Sequence, residues 1–241
     1  MPRFFTNDID PSCGVGQVTG EDARHIALSL RMRTGENVIL SREGIDYACE
    51  LTEINPELVT CRILSQTPCA AEADIRLHLF QAVPKGEKAE IIVQKSVELG
   101  VFDITFMLTE RCISRPDDRS FSKKLNRYNR IALEAAKQSG RGIVPEVRGM
   151  VSLREAAAAC KDYDSTVWCY EKGGVRMNSL GLAAGTDIGL LIGSEGGFSD
   201  GEAELLRGEG FTPVTLGTRI MRCETAPLAA AAVIMNLTGN L

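Results

Sequence analysis

The stretch Leu190-Leu191-Ile192-Gly193-Ser194-Glu195-Gly196-Gly197-Phe198-Ser199-Asp200 decides the reading of this chain. Its opening apolar residues read as a buried strand and its three glycines as a turn, while Ser199 or Asp200 can cap the next helix, with Glu202 placed for a capping box or as a first-turn acid. A strand that passes through a turn into a helix is the repeating unit of a parallel α/β sheet. The loop is not a phosphate-binding P-loop, because no Gly-Lys-Ser/Thr follows, and its glycines lack the spacing of the dinucleotide fingerprint. A tight structural turn satisfies these residues; so does a loop whose backbone approaches a ligand with no Cβ in the way.

The pattern continues on both sides of this segment. Downstream, Thr215-Leu216-Gly217-Thr218-Arg219-Ile220-Met221-Arg222-Cys223-Glu224-Thr225-Ala226 joins a short strand to a last helix with Pro227 in its first turn. Two arginines, an acid and a threonine crowd that loop, and the residues leave two readings open: a ligand site, or a helix cap by Glu224 and Thr225 with Arg222 paired to Glu224. The last helix, through Leu237, is apolar all round, which predicts that it is sandwiched in its domain or buried against a second subunit.

Upstream, strands are expected at Ile75–Val83 and Asp103–Leu108, with a helix between them that places Ala89, Ile92, Val93, Ser96 and Val97 on one face. A longer helix over 122–139 follows, with Leu125, Tyr128, Ala132, Ala135 and Ala136 inward; further strands are expected near 164–170, 187–193 and 212–216, and helices near 152–160 and 200–209. Residues 1–70 read differently. Val38-Ile39-Leu40 and the alternations Tyr47, Cys49, Leu51 and Val59, Cys61, Ile63 predict a small β-barrel, with one short helix over 21–30. Ser65–Asp74 has no periodicity and reads as a linker or a domain boundary. The expected fold class is α/β, with domains 1–70 and 75–241.

At 241 residues the chain can bury a sizeable core without staples, and 44% hydrophobic with 24% charged residues is ordinary soluble usage. The longest apolar run, Ala226–Met235, is too short for a span of about 20 residues. With no export signal at the start, the chain reads as cytoplasmic. Cys13, Cys49, Cys61, Cys69, Cys112, Cys160, Cys169 and Cys223 show no metal or redox spacing and read as free thiols, and His25 and His78 have no ligand partners nearby, so no metal site is expected. Net charge is −5, yet residues 111–148 hold ten basic and four acidic side chains. Such a concentration fits phosphate contact, and equally a solvated helix face.

The two glycine-containing segments, taken with Glu134-Ala-Ala-Lys-Gln138-Ser139-Gly140-Arg141, Lys95-Ser-Val-Glu98-Leu99-Gly100-Val101, Glu110-Arg111, Arg3-Phe4-Phe5 and His25 through Arg31, strongly resemble the 16S ribosomal RNA uracil-N3 methyltransferase family of the SPOUT class. The resemblance runs the whole chain. It departs from the family where Ser194 replaces a proline, Met221 a leucine and Cys112 a serine, and the missing proline frees a φ angle in the cofactor loop.

The resemblance implies a C-terminal SPOUT domain with a deep trefoil knot, an N-terminal PUA-like RNA-binding barrel, a homodimer, and S-adenosylmethionine as cofactor. It implies methylation of N3 of one uridine in the decoding region of 16S rRNA within the small ribosomal subunit. The alternatives are another RNA base or a ribose 2′-hydroxyl as target, or a non-catalytic RNA-binding assembly factor. Cofactor contacts are expected from Leu191, Ile192, Gly193, Glu195, Gly196, Gly197, Leu216, Gly217, Ile220, Met221, Arg222 and Thr225. For catalysis, Arg222, Gln138 and Arg141 are candidates to hold the base, and Glu171, Glu195 or Glu224 to accept a proton. Arg3, Arg24, Arg31, Arg33, Lys123, Lys124 and Arg127 are expected on RNA.

Overall fold

Alternating side chains and tight turns build the first part of the chain, and the computed structural model describes all of residues 1–241. Two compact units form: Met1–Glu72 with Ala136–Ile143, and Ala73–Ala135 with Val144–Leu241.

In the first unit the strands are β1 (Arg3–Phe5), β2 (Ile9–Asp10), β3 (Val15–Thr19), β4 (Asn37–Arg42), β5 (Ile45–Ile54) and β6 (Leu58–Pro68). They form one sheet in the order β1-β4-β5-β6-β3-β2, antiparallel except for the β1–β4 pair. Tyr47, Cys49 and Leu51 of β5 face Val38, Leu40, Val59 and Cys61 in one core, closed by Ala23 and Ile26. Period-2 burial is what the sequence alternation requires. The expected helix over 21–30 is a short α-helix, α1 (Gly20–Arg24), continued by a π-helical turn at His25–Ser29.

The expected linker or domain boundary over 65–74 does contain the break between the units, after Glu72, but as a linker it starts too early. Ser65–Pro68 pair with Ile45–Ala48 as the end of β6, although their own side chains are exposed. Backbone pairing alone holds this extension, which hydrophobic periodicity does not register.

The second unit contains β7 (Arg76–Ala82), α2 (Lys88–Glu98), β8 (Asp103–Leu108), most of α3 (Asp118–Ser139), β9 (Glu146–Ser152), α4 (Leu153–Cys160), β10 (Ser165–Cys169), β11 (Val175–Arg176), β12 (Asp187–Ile192), α5 (Asp200–Gly208), β13 (Pro213–Thr215) and α6 (Ala226–Leu237). Its seven strands are all parallel, in the order β11-β13-β10-β12-β7-β8-β9. The five residues expected to face inward on α2 are its buried residues. On α3, Tyr128, Ala132, Ala135 and Ala136 are buried and Leu125 is half-buried. The edge strands β9 and β11 have no counterpart in the sequence reading, because one contains Gly149 with little alternation and the other is two exposed residues.

The helix α6 packs on α2, β12 and β7 through Ala230, Ala231, Ile234 and Met235, while Val233 and Leu237 stay exposed on its other side. No helix is long and apolar enough to cross a membrane. The cysteines are all free, and no three His, Cys, Asp or Glu side chains gather as a metal site would need.

Candidate active site

Parallel strands of an open sheet direct their carboxyl ends to one edge, where loops can converge on a ligand. Three loops of the second unit do so, joined by Lys88 at the start of α2: Tyr170–Glu171 after β10, Gly193–Phe198 after β12 and Leu216–Thr225 after β13. They enclose a cavity of about 430 Å³, within the usual range of small-molecule sites.

The glycine-rich wall is built by its own packing. The Gly197 amide donates to the Ser194 carbonyl at 2.9 Å, closing a tight turn in which Gly197 holds φ +65°. A Cβ at Gly193 would press on the Gly197 backbone at 3.1 Å, and one at Gly196 on Arg111 Cβ at 2.8 Å. At its exit, the Ser199 hydroxyl accepts from the Glu202 amide at 3.2 Å and a Glu202 carboxylate oxygen accepts from the Ser199 amide at 2.8 Å, the expected capping box. The other Glu202 oxygen accepts from the Glu110 amide at 2.7 Å, and Arg111 Nη1 donates to the Gly196 carbonyl at 2.9 Å. The Glu110-Arg111 loop therefore braces the turn from outside.

The arginine-bearing wall does not act as a helix cap. Thr225 makes no side-chain cap on α6, and Arg222 lies 4.0 Å from Glu224 with its side chain 83% exposed. Glu224 pairs instead with Lys88 at 3.1 Å, and the same Lys88 Nζ lies 3.1 Å from Glu195. Gly217, at φ +110°, has open space where a Cβ would stand.

Charge in this cluster is fixed. Against the burial that opposes it, the Lys85 amide and the Lys88 ammonium hold the Glu195 carboxyl down to about 2. Glu224 is likewise lowered against burial, with Lys88 among the causes, and Lys88 is raised by Glu195 first and Glu224 second. Burial, then the neighbouring Glu195, pushes the Cys223 thiol up to about 12, so near neutral pH it is a protonated thiol.

Of the expected cofactor residues, Ile192, Gly193, Glu195, Gly196, Gly197, Leu216, Gly217, Ile220, Met221 and Arg222 line this one cavity, as does Glu171. Leu191 and Thr225 do not; Leu191 is wholly buried in β12 and Thr225 is exposed beside the lining residue Ala226. Gln138 and Arg141 belong to the first unit. There Arg141, 2% exposed, donates through Nε and Nη2 to the two Glu72 carboxylate oxygens at 2.9 and 2.8 Å. Arg3 is also committed, to Asp46 and Ser41. Arg24, Arg31, Arg33, Lys123 and Lys124 are exposed, whereas Arg127 pairs with Glu90 at 2.7 Å.

Sequence reasoning missed Lys88, Cys169 and Tyr170 in the lining. Lys88 had a signal: it is the first residue of α2, where the helix dipole disfavours a cation unless acids face it.

Comparison with known proteins agrees with this architecture. Residues 71–235 match the family model for an RNA methyltransferase domain and residues 18–64 that for an RNA methyltransferase PUA domain, which defines the class as RNA methyltransferase. The chain is 33% identical to the ribosomal RNA small subunit methyltransferase E of Bacillus subtilis, over 97% of this chain and 96% of that protein. It is 31% identical to the protein of the same name from Buchnera aphidicola subsp. Schizaphis graminum, over 100% and 98%. Two solved structures are similar at 31% identity. The ribosomal RNA small subunit methyltransferase E from Neisseria gonorrhoeae, bound to S-adenosylmethionine, has a TM-score of 0.87 over 99% of this chain and 98% of that one. A putative Legionella pneumophila methyltransferase, in complex with the same cofactor, has a TM-score of 0.86 over 98% and 97%. The chain belongs to the ribosomal RNA small subunit methyltransferase E family.

Proposed function

We propose that this chain methylates N3 of a uridine in the decoding region of 16S rRNA, on the small ribosomal subunit in the cytoplasm, with S-adenosylmethionine as methyl donor. One observation carries the reading: the two loops that bear the family resemblance close on a single cavity at the carboxyl edge of a parallel sheet, with the Arg222 side chain at its rim and exposed.

The cavity suits that donor. Its volume is adequate, the Cβ side of Gly217 is open, and the lining residues Glu171 and Glu195 offer carboxylates to a ligand bearing sulfonium and ammonium charge. S-adenosylmethionine, when bound, supplies a methyl group already activated on sulfur. The protein's part is then to position the base and to remove the N3 proton.

Arg222 is the cation that favours the uridine anion, and its exposure leaves the guanidinium available to a carbonyl oxygen of the base. Glu171 is the proton acceptor. Glu195 and Glu224 share Lys88, whereas Glu171 faces only Arg111, at 3.8 Å, and remains 31% exposed toward the cavity. Gln138, exposed at the end of α3, is the further base-holding candidate. Arg24, Arg31, Arg33, Lys123 and Lys124 supply phosphate contacts.

The same reading includes a closed PUA-like barrel for the first unit, a trefoil knot around the cavity and a homodimer. The exposed Val233 and Leu237 on the outer side of α6 support the dimer. The test is to identify the methylated nucleoside after reaction with undermethylated small subunits.

A further inference from the structure

Lys88 joins chain segments that lie more than a hundred residues from it in sequence. Its Nζ lies 3.1 Å from Glu195 Oε1 and 3.1 Å from Glu224 Oε2, and these carboxylates belong to the glycine-rich loop and to the arginine-bearing loop. Glu195 Oε1 also accepts from the Lys85 amide at 3.0 Å, so the loops after β7 and β12 and the loop entering α6 meet at one ammonium. Cys223 Sγ completes the cluster, 3.6 Å from Nζ.

The two walls differ in what else supports them. Arg111 and Glu202 brace the glycine-rich turn from outside. The Leu216–Thr225 loop has no comparable brace: its side-chain hydrogen bonds and ion pairs to the rest of the unit run through Lys88 and Glu195. Without the ammonium, two carboxylates that had shared it face each other, and like charges so placed repel or force a proton onto one of them. The walls then separate or lose their set spacing.

We propose that Lys88 is the positioning residue of the cofactor cavity, its ammonium holding the glycine-rich wall and the arginine-bearing wall at the spacing that the methyl donor needs. This rests on the S-adenosylmethionine reading above. The ordinary fate of a half-exposed ion pair is to be removable at little cost. This one is set apart by spanning the two walls.

The test uses the full chain and four variants: Lys88→Met, Lys88→Arg, Lys88→Met combined with Glu224→Gln, and Lys161→Met, which removes an unrelated pair with Glu209 as a control. Amide hydrogen exchange is read without cofactor, and S-adenosylmethionine affinity by calorimetry. Lys88→Met speeds exchange at both 193–197 and 222–226 and weakens the cofactor about tenfold, while the melting temperature stays near wild type. The double variant regains part of that loss, because one of the opposed charges is gone, and Lys88→Arg stays within about threefold of wild type. Lys161→Met changes neither readout. Unchanged exchange in either wall, or a double variant no better than Lys88→Met, overturns the proposal. If the wild-type chain binds no S-adenosylmethionine but both walls still respond to Lys88→Met, the cofactor reading falls and the brace stands.

Discussion

Gly197 backs directly onto Glu171: a Cβ at that glycine would lie 2.5 Å from the Glu171 carboxylate carbon. The turn's glycine and the proposed proton acceptor therefore fix each other's place. Gly197→Ala has to strain a φ of +65° and displace Glu171. We expect a loss of about 1–3 kcal/mol in unfolding free energy and a fall in turnover. Combining it with Glu171→Ala relieves the clash and restores part of the stability, without restoring turnover. Denaturant melts and labelled-methyl assays on the two variants check both halves; equal stability of the single and double variants contradicts the contact.

Arg222 contributes little to the folded state, with its side chain 83% exposed and Glu224 4.0 Å away. Arg222→Ala is expected to keep the melting temperature and cofactor affinity while lowering kcat by about 10²-fold or more, the scale for losing a charge that stabilises the reacting group. Near wild-type turnover removes Arg222 from the proposed mechanism.

Arg141 has the reverse profile. Its buried guanidinium meets both oxygens of Glu72, whose Oε1 also accepts from the Gly142 and Ile143 amides at 2.8 and 3.0 Å. Arg141→Ala leaves that carboxylate without its cation and is expected to cost about 3–5 kcal/mol. A variant that melts like wild type yet has lost methylation returns Arg141 to the catalytic set.

The charges about Lys88 also set a pH window. Glu195 is depressed from the ordinary 4.5 to about 2, so its stabilising contribution is present above pH 4.5 and is lost as pH falls toward 2. Lys88 is raised above its ordinary 10.5, so its contribution is present below that value and lost above it. Cofactor affinity measured from pH 5 to 9 is therefore expected to show no step from this cluster. A titration of binding centred near pH 6 or 7 contradicts the assignment.

Lys123 and Lys124 are exposed on α3. Replacing both with glutamine is expected to weaken small-subunit binding and to reduce the salt slope by about 1.4–1.8, with no change in cofactor affinity. Filter binding over a salt series measures it.

Much of this molecule is written in local pattern. The inward face of α2, the alternation in β5 and the capping box at Ser199 obey periodicities that a single sequence displays. Edges are not written that way: β9, β11 and the end of β6 are held by backbone pairing with neighbours distant in sequence, and their side chains carry little signal. The cavity's two glycine-bearing walls were legible through the family resemblance, since their residues alone left a structural turn and a helix cap open. The partners of Lys88 were not, since they are more than a hundred residues away and only the fold brings them to it. Arg141 shows the converse hazard: its residue type suits RNA, and only the structure reveals Glu72 against it.

The most direct measurement is the chemical identity of the product. Purified chain is incubated with methyl-labelled S-adenosylmethionine and undermethylated small ribosomal subunits, and the rRNA is digested to nucleosides and separated. The account predicts label in 3-methyluridine, lost with Arg222→Ala. Label in a different nucleoside, or none from a chain that binds the cofactor, contradicts it.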